Sequence, residues 1–357
     1  MINDNVHKQQ GGDSSNNFQG QSLVINQGIS YSDARDIALD VYKSNFIQLS
    51  EDAAKLAKHR AEELTDNFLE TLKETNQAAI SEMKQPSMQA ALYEAQKQYA
   101  KSGDKELESM LVDILVQRAS TSERNTKQIV LDEALEVVSK LTNDQLNILS
   151  INFAIARLNK PKINNTASLI DHIQNELSVF IDPEVEYDQS WFEHLAYSGC
   201  VTFMDASSYK VIPELFLNQY PAVFQKGFDE KEFEDFVGKK ISDFKVLLMG
   251  SFHTVNLFQF NQMNEQLMTS KIKELKMDEH TGEKLIQFFN TKLMNHNEVK
   301  EWMLENVPNV ETLLKRWDGD NNQLSKIQLT TVGVALAQAN YKKKVKGIEF
   351  DLAHWVK

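Results

Sequence analysis

The chain reads as a mainly α protein: long amphipathic helices packed as a bundle, a short β-forming N-terminal segment and a small mixed α/β C-terminal part. Three observations predict this. From Ser32 the sequence runs without Gly or Pro until Pro86, and its apolar residues recur at three- and four-residue spacing, the period of one helical face. Further helical stripes follow with few interruptions, and Leu146 to Leu158 is apolar nearly all round, as in a buried helix. Strand-like alternation is confined to short runs near Cys200, Lys326 and Ile348.

Residues 1–30 stand apart, because well over half of them are Asn, Gln, Gly or Ser. Phe18, Leu23 and Ile25 are rare apolar points among amides and glycines, a pattern that fits two short strands with tight turns. One such hairpin buries too little to offset its ordering entropy, whereas several copies can pair their edges. The segment therefore reads either as an oligomerisation element using Phe18, Leu23 and Ile25 or as a flexible low-complexity tail.

Ser32 and Asp33 supply a helix start for Ala34, Ile37, Ala38 and Val41. A second start at Ser50 leads into the stripe Ala53, Leu56, Ala57, Leu64, Phe68, Leu69 and Leu72. A pattern this long needs another long helix beside it, within the chain or from a second copy. Helices are expected over Met88–Ala100, Lys105–Ala119, Thr126–Leu141 and Ala167–Ile181, and Thr142 with Gln145 forms a capping box for Leu146–Leu158. The second half predicts shorter elements. Helices are expected over Trp191–Tyr197, Pro213–Asn218, Glu230–Val237, Met263–Leu275, Gly282–Met294, Val299–Glu305 and Thr331–Lys343. Strands are expected over Cys200–Phe203, Lys326–Leu329 and, closing the chain, Ile348–Trp355. The expected division is 1–30, a long-helix bundle over 31–160, and a helical domain with short strands over 161–357.

Composition removes several function classes. Of 357 residues, 41% are hydrophobic and 25% charged, an ordinary globular mixture. Mean hydropathy is -0.43, and the longest apolar run, near Val246 to Met249, falls far short of the roughly 18 residues that span a bilayer. Met1 to Gln21 has no apolar signal core, so a cytosolic protein without a membrane span is expected. Cys200 is the single cysteine, which excludes internal disulfides and multi-cysteine zinc sites. A net charge of -13 opposes generic binding to a phosphate backbone.

No motif establishes catalysis, a metal or a cofactor, and none is expected. His194 and Cys200 are separated by a helix end, so their spacing places them on no common face. Gly238-Lys239-Lys240 lacks the earlier glycine and the Ser or Thr of a P-loop. Asp318-Gly319-Asp320-Asn321-Asn322 begins like a calcium loop, but Gln323 and Leu329 stand where Gly and Glu are needed. A hydrolase or nuclease built from dispersed carboxylates is a third class that spacing alone leaves open. Lys342, Lys343, Lys344 and Lys346 form the dense basic run and are the candidate nucleic-acid contacts.

Two resemblances add to this reading. Leu329-Thr330-Thr331-Val332-Gly333-Val334-Ala335-Leu336-Ala337 is similar to the strand-turn-helix near the wing of bacterial winged-helix regulators. Trp191–Phe203 looks like the element that precedes it, although here the gap exceeds a hundred residues rather than a dozen. That resemblance implies a transcriptional regulator or nucleic-acid-binding protein. Across nearly the whole chain, the Gly-Asp-Ser-Ser-Asn-Asn stretch from Gly12, the Gly28–Arg35 helix entry, Glu193–Cys200 and the Leu329–Gly333 run resemble an uncharacterised bacterial family of mainly helical proteins. Similar Gly-Asp-Asn-rich stretches on defence proteins suggest phage defence. The expectation is a non-enzymatic, homo-oligomeric binding or sensing protein of the bacterial cytosol. Its partners would be itself and an unidentified protein, in preference to nucleic acid.

Overall fold

A computed structural model describes residues 29–45, 50–205, 210–319, 323–347 and 351–356. Phe18, Leu23 and Ile25, with the whole β-forming segment expected around them, lie outside the described residues.

The chain is mainly α. The first long pattern becomes α1 (Tyr31–Asn45) and α2 (Glu51–Asn76), followed by α3 (Pro86–Ser102) and α4 (Lys105–Ala119). The buried stripe of α2 opens on the small residues Ala57 and Ala61 and continues with the large ones Leu64, Phe68, Leu69 and Leu72. This stripe packs on α1, α3 and α4, so the neighbour that such a long helix requires comes from the same chain. Gly103 ends α3 in the left-handed region at φ 65°, and Asp104 then caps α4 by accepting from Glu106 N and Leu107 N. After α5 (Thr126–Val137), the Thr142–Gln145 capping box opens α6 (Asn143–Ala156).

The expected helix over 167–181 is divided. It begins as α7 (Thr166–His172), widens into a π turn at Ile173–Leu177 and tightens into a 3-10 turn at Ser178–Phe180. Next come α8 (Gln189–Tyr197), β1 (Val201–Phe203), α9 (Ile212–Gln219), α10 (Glu230–Val237), β2 (Leu248–Gly250), β3 (Phe258–Phe260), α11 (Glu265–Glu274), α12 (Glu279–Thr291), α13 (His296–Asn306), α14 (Val310–Asp318), β4 (Ile327–Leu329) and α15 (Thr331–Lys344). Helix α14 and the β2–β3 hairpin were not expected. Val310, Leu313, Leu314 and Trp317 do recur at helical spacing, but three-residue strands leave no period to read. The closing strand expected over Ile348–Trp355 is corrected where the chain is described, since Leu352–His354 is a 3-10 turn; residues 348–350 lie outside the described residues. The Asp351 side chain accepts from Ala353 N at 2.9 Å, which turns the chain and buries Leu352 and Val356 in the core.

Helices α6 and α15 share the most extensive helix–helix contact. Both are buried on every side, α15 from Val332 to Tyr341. The main core they centre is continuous from Ala34 to Val356 and so spans residue 160. Two polar side chains between the two helices are bonded: Asn340 Nδ2 donates to Ser150 Oγ at 2.8 Å, and Ser150 Oγ donates to Leu146 O at 2.8 Å.

A second core lies within residues 226–293. Phe228, Phe233, Phe260, Phe288 and Phe289 interlock there with Leu285 and Met268, the Phe228 and Phe288 rings meeting edge-on at 4.9 Å. The chain enters and leaves this module through two antiparallel segments. Lys226 N donates to Lys292 O at 2.7 Å, and Met294 N donates to Phe224 O at 2.9 Å. The module is thus an insertion on a two-strand stem.

Strands β1 and β4 pair antiparallel, Val201 opposite Leu329. Thr330 fixes the junction: its N donates to Cys200 O at 3.0 Å, its Oγ1 donates to Gly199 O at 2.6 Å, and the same Oγ1 accepts from Gly333 N, capping α15. A Cβ on Gly333 would stand 2.0 Å from the Cys200 carbonyl oxygen, so backbone would have to move. Gly333→Ala is expected to cost about 3 kcal/mol in denaturant unfolding. A loss below about 1 kcal/mol would show that this contact does not set the spacing of β1 and α15.

Candidate functional site

The C-terminal end of α6 carries polar groups on two sides. Toward β4, a cleft of about 350 Å³ opens between the end of α6, β4, α9 and α14. Leu215 and Ile327 give it apolar wall, and Trp317 is held there by its Nε1, which donates to Lys210 O at 2.9 Å. Asn152, buried, donates to Leu324 O at 2.9 Å and Ile327 O at 3.2 Å, fixing the floor. Arg157 follows the last turn of α6 and is half-buried. Its Nη2 donates to Leu329 O at 3.0 Å. Among the described residues the rest of its fork has no hydrogen-bond partner, and it enters no ion pair. Lys210, at the rim, is paired with Glu214 at 2.6 Å.

On the other side, three donors converge on one carboxylate oxygen. Glu176, brought round by the π turn, accepts at Oε2 from His172 Nδ1 at 2.7 Å and from Tyr341 OH at 2.9 Å, and is ion-paired with Lys160. Burial alone would raise the Glu176 carboxyl, but the bonds from His172 and Lys160 outweigh it and hold it at about 2. The Tyr341 hydroxyl is pushed up by burial and by the Glu176 charge. With its bonding oxygen saturated, this network is a clamp between α7 and α15 and offers no free base.

The residues singled out from the sequence fall elsewhere. His194 Nδ1 lies 3.0 Å from Gln145 Nε2 and its Nε2 lies 3.5 Å from Ser198 Oγ. Cys200 is fully buried beneath the β1–β4 junction, its thiol pushed up to about 12 by burial, the reverse of an activated thiolate. The basic run is spread over the end of α15. Lys342 pairs with Asp113 at 3.6 Å, Lys343 with Glu106 at 3.1 Å, Lys344 Nζ lies 5.7 Å over the Phe180 ring, and Lys346 is exposed. Among the described residues no group of three His, Cys, Asp or Glu is placed to hold a metal, and no helix is long and apolar enough to cross a membrane.

The two resembling segments, Trp191–Phe203 and Leu329–Ala337, are neighbours in space through β1, β4 and Thr330. Sequence reading did not find Arg157, Lys210 and Trp317, which lie 53 and 107 residues apart; no local spacing could have joined them.

A family model described only as ":-like" matches residues 28–356. The chain belongs to that family. Its match begins where the amide-rich composition stops, so the shared part is the helical body with its insertion, and the description states no activity. No curated protein and no solved structure matches the chain.

Two measurements check these assignments. Cys200 is expected to react with an aromatic disulfide reagent only at the rate of unfolding; full reaction within seconds in native buffer would contradict its shielding. The Glu176 carboxyl is depressed from 4.5 to about 2, so its contribution is present above pH 4.5 and lost as pH falls toward 2. Glu176→Gln is expected to cost about 3 kcal/mol at pH 7 and to flatten the loss of stability over that acid window. An unchanged acid profile would show that the clamp is not formed.

Proposed function

We propose that this chain is a homo-oligomeric binding and sensing protein rather than a catalyst, with the cleft at the end of α6 as its recognition site. One observation carries the binding reading: the cleft is concave, mostly apolar in wall and furnished with a guanidinium that has no counter-ion among the described residues. Pockets of roughly 300–1,000 Å³ with few convergent polar groups are the usual form of small-ligand sites. The sensing reading rests on connectivity. Helix α9 supplies Leu215 to the cleft and runs through Pro221–Phe224 directly into the stem of the inserted module. There the module's own side chains bond to the stem: His253 Nε2 lies 2.6 Å from Val223 O, and Gln259 Nε2 donates to Ala222 O at 3.2 Å.

The oligomeric part of the proposal rests on Phe18, Leu23 and Ile25 among the amides and glycines of residues 1–28. Phage defence is suggested only by the Gly-Asp-Ser-Ser-Asn-Asn stretch. Nucleic-acid binding is less well supported, since Lys342 and Lys343 are committed to carboxylates of the same chain.

Light scattering on the full chain and on one lacking residues 1–28 tests the assembly. A uniform oligomer is expected, reduced in mass by truncation with helical circular dichroism unchanged. Two equal monomers would overturn the oligomeric reading.

A further inference from the structure

We infer that the cleft takes a small organic anion, an apolar body bearing one carboxylate or phosphate, with Arg157 as the group that selects its charge. This rests on the cleft being a binding site, as proposed above, and adds the chemical class of its occupant. The chain carries 51 acidic and 38 basic residues, so carboxylates are abundant partners for any guanidinium. Of the six arginines, Arg35, Arg118 and Arg316 use them, with Asp66, Asp132 and Glu186, whereas Arg60 bonds a backbone carbonyl, Ala100 O at 3.1 Å, away from the cleft. Arg157 is half-buried and instead spends one N–H on the Leu329 carbonyl. That bond orients the fork against β4 and leaves its other N–H groups for a second acceptor. Among the described residues Arg157 has no counter-ion; a partly desolvated guanidinium in that state is costly, and a bidentate carboxylate or phosphate is the acceptor its fork geometry fits best.

The walls set the rest of the ligand. Leu215 and Ile327 face the cleft with the edge of Trp317, and Asn152 is already spent on two backbone carbonyls. An apolar body loses nothing against these surfaces, whereas a polyhydroxylated one would meet polar wall at Ser325 and Gln328 but strip water against the rest. About 350 Å³ suits a single ring or a short branched chain, with the anionic end toward Arg157. Lys210 at the rim is shared with Glu214, so its charge adds less than that of Arg157.

Isothermal titration of the full chain with phenyl phosphate, benzoate, phenol and inorganic phosphate tests this. The Arg157→Gln, Arg157→Lys and Leu215→Trp variants are titrated beside it. Phenyl phosphate or benzoate is expected to bind at least tenfold more tightly than phenol or inorganic phosphate, and whichever binds better identifies the anion. Arg157→Gln should erase that preference, Arg157→Lys should keep part of it, and Leu215→Trp, which fills the cleft, should abolish binding. Phenol binding as tightly as the anions, and lost in Leu215→Trp, would overturn the anion assignment while leaving the cleft a binding site. An anion preference unchanged in Arg157→Gln would overturn the assignment of Arg157 as the selecting group while leaving the cleft a binding site. No binding by any probe at millimolar concentration would overturn both.

Discussion

Everything in the body of the molecule is registered against the packing of α6 on α15. A helix buried on all sides cannot slide without exposing apolar surface, at about 1.5–3 kcal/mol per large side chain. Here two such helices lie against each other, joined by Asn340 and Ser150. That pair fixes three things. The start of α15 brings Thr330 and Gly333 against Cys200, which closes β1 on β4. Its middle delivers Tyr341 to Glu176. The end of α6 presents Arg157 to one side and leads to Lys160 on the other. Cleft and clamp are thus two outcomes of one contact, and a change in the α6–α15 spacing would reach both.

Charge is arranged in the same economy. In an acidic chain, cations that contact the core are consumed locally: Lys160 by Glu176, Lys342 by Asp113, Lys343 by Glu106, Arg118 by Asp132. The lysines that look like a binding patch as a linear run are, in three dimensions, largely a seam between α15 and α4. Position in the fold, more than density in the sequence, decides whether a cation is available. By that criterion Arg157, solitary in sequence, is the more available charge.

The legible and illegible parts of the sequence divide along physical lines. Helix period, the Thr142–Gln145 capping box and the all-round apolarity of α6 are local signals, and the helices they mark are present within a few residues. The π turn at Ile173–Leu177 was not legible, because its widening is set by Glu176 reaching His172, Lys160 and Tyr341, and two of these come from outside the helix. The closing strand failed for a similar reason: alternation at Ile348, Phe350 and Leu352 suggests a strand, whereas the Asp351 side chain and the burial of Leu352 and Val356 favour a turn. The cleft joins residues 157, 210 and 317, and only the finished fold brings them together.

The inserted module shows how such a fold can carry a signal. Its core is separate, and its attachment is a stem where Gln225 Oε1 accepts from Phe260 N at 3.0 Å while His253 and Gln259 bond the carbonyls of Val223 and Ala222. These are directional bonds to a short backbone segment, stiffened by Trp302 packing edge-on against both Phe224 and His253. Directional bonds, like packed cores, resist gradual deformation and favour discrete arrangements. Because that segment continues α9, which walls the cleft, an occupant pressing on Leu215 would act on the module through the backbone it holds. On the proposed sensing reading, the stem, more than either core, is where occupancy of the cleft would be converted into a change of surface.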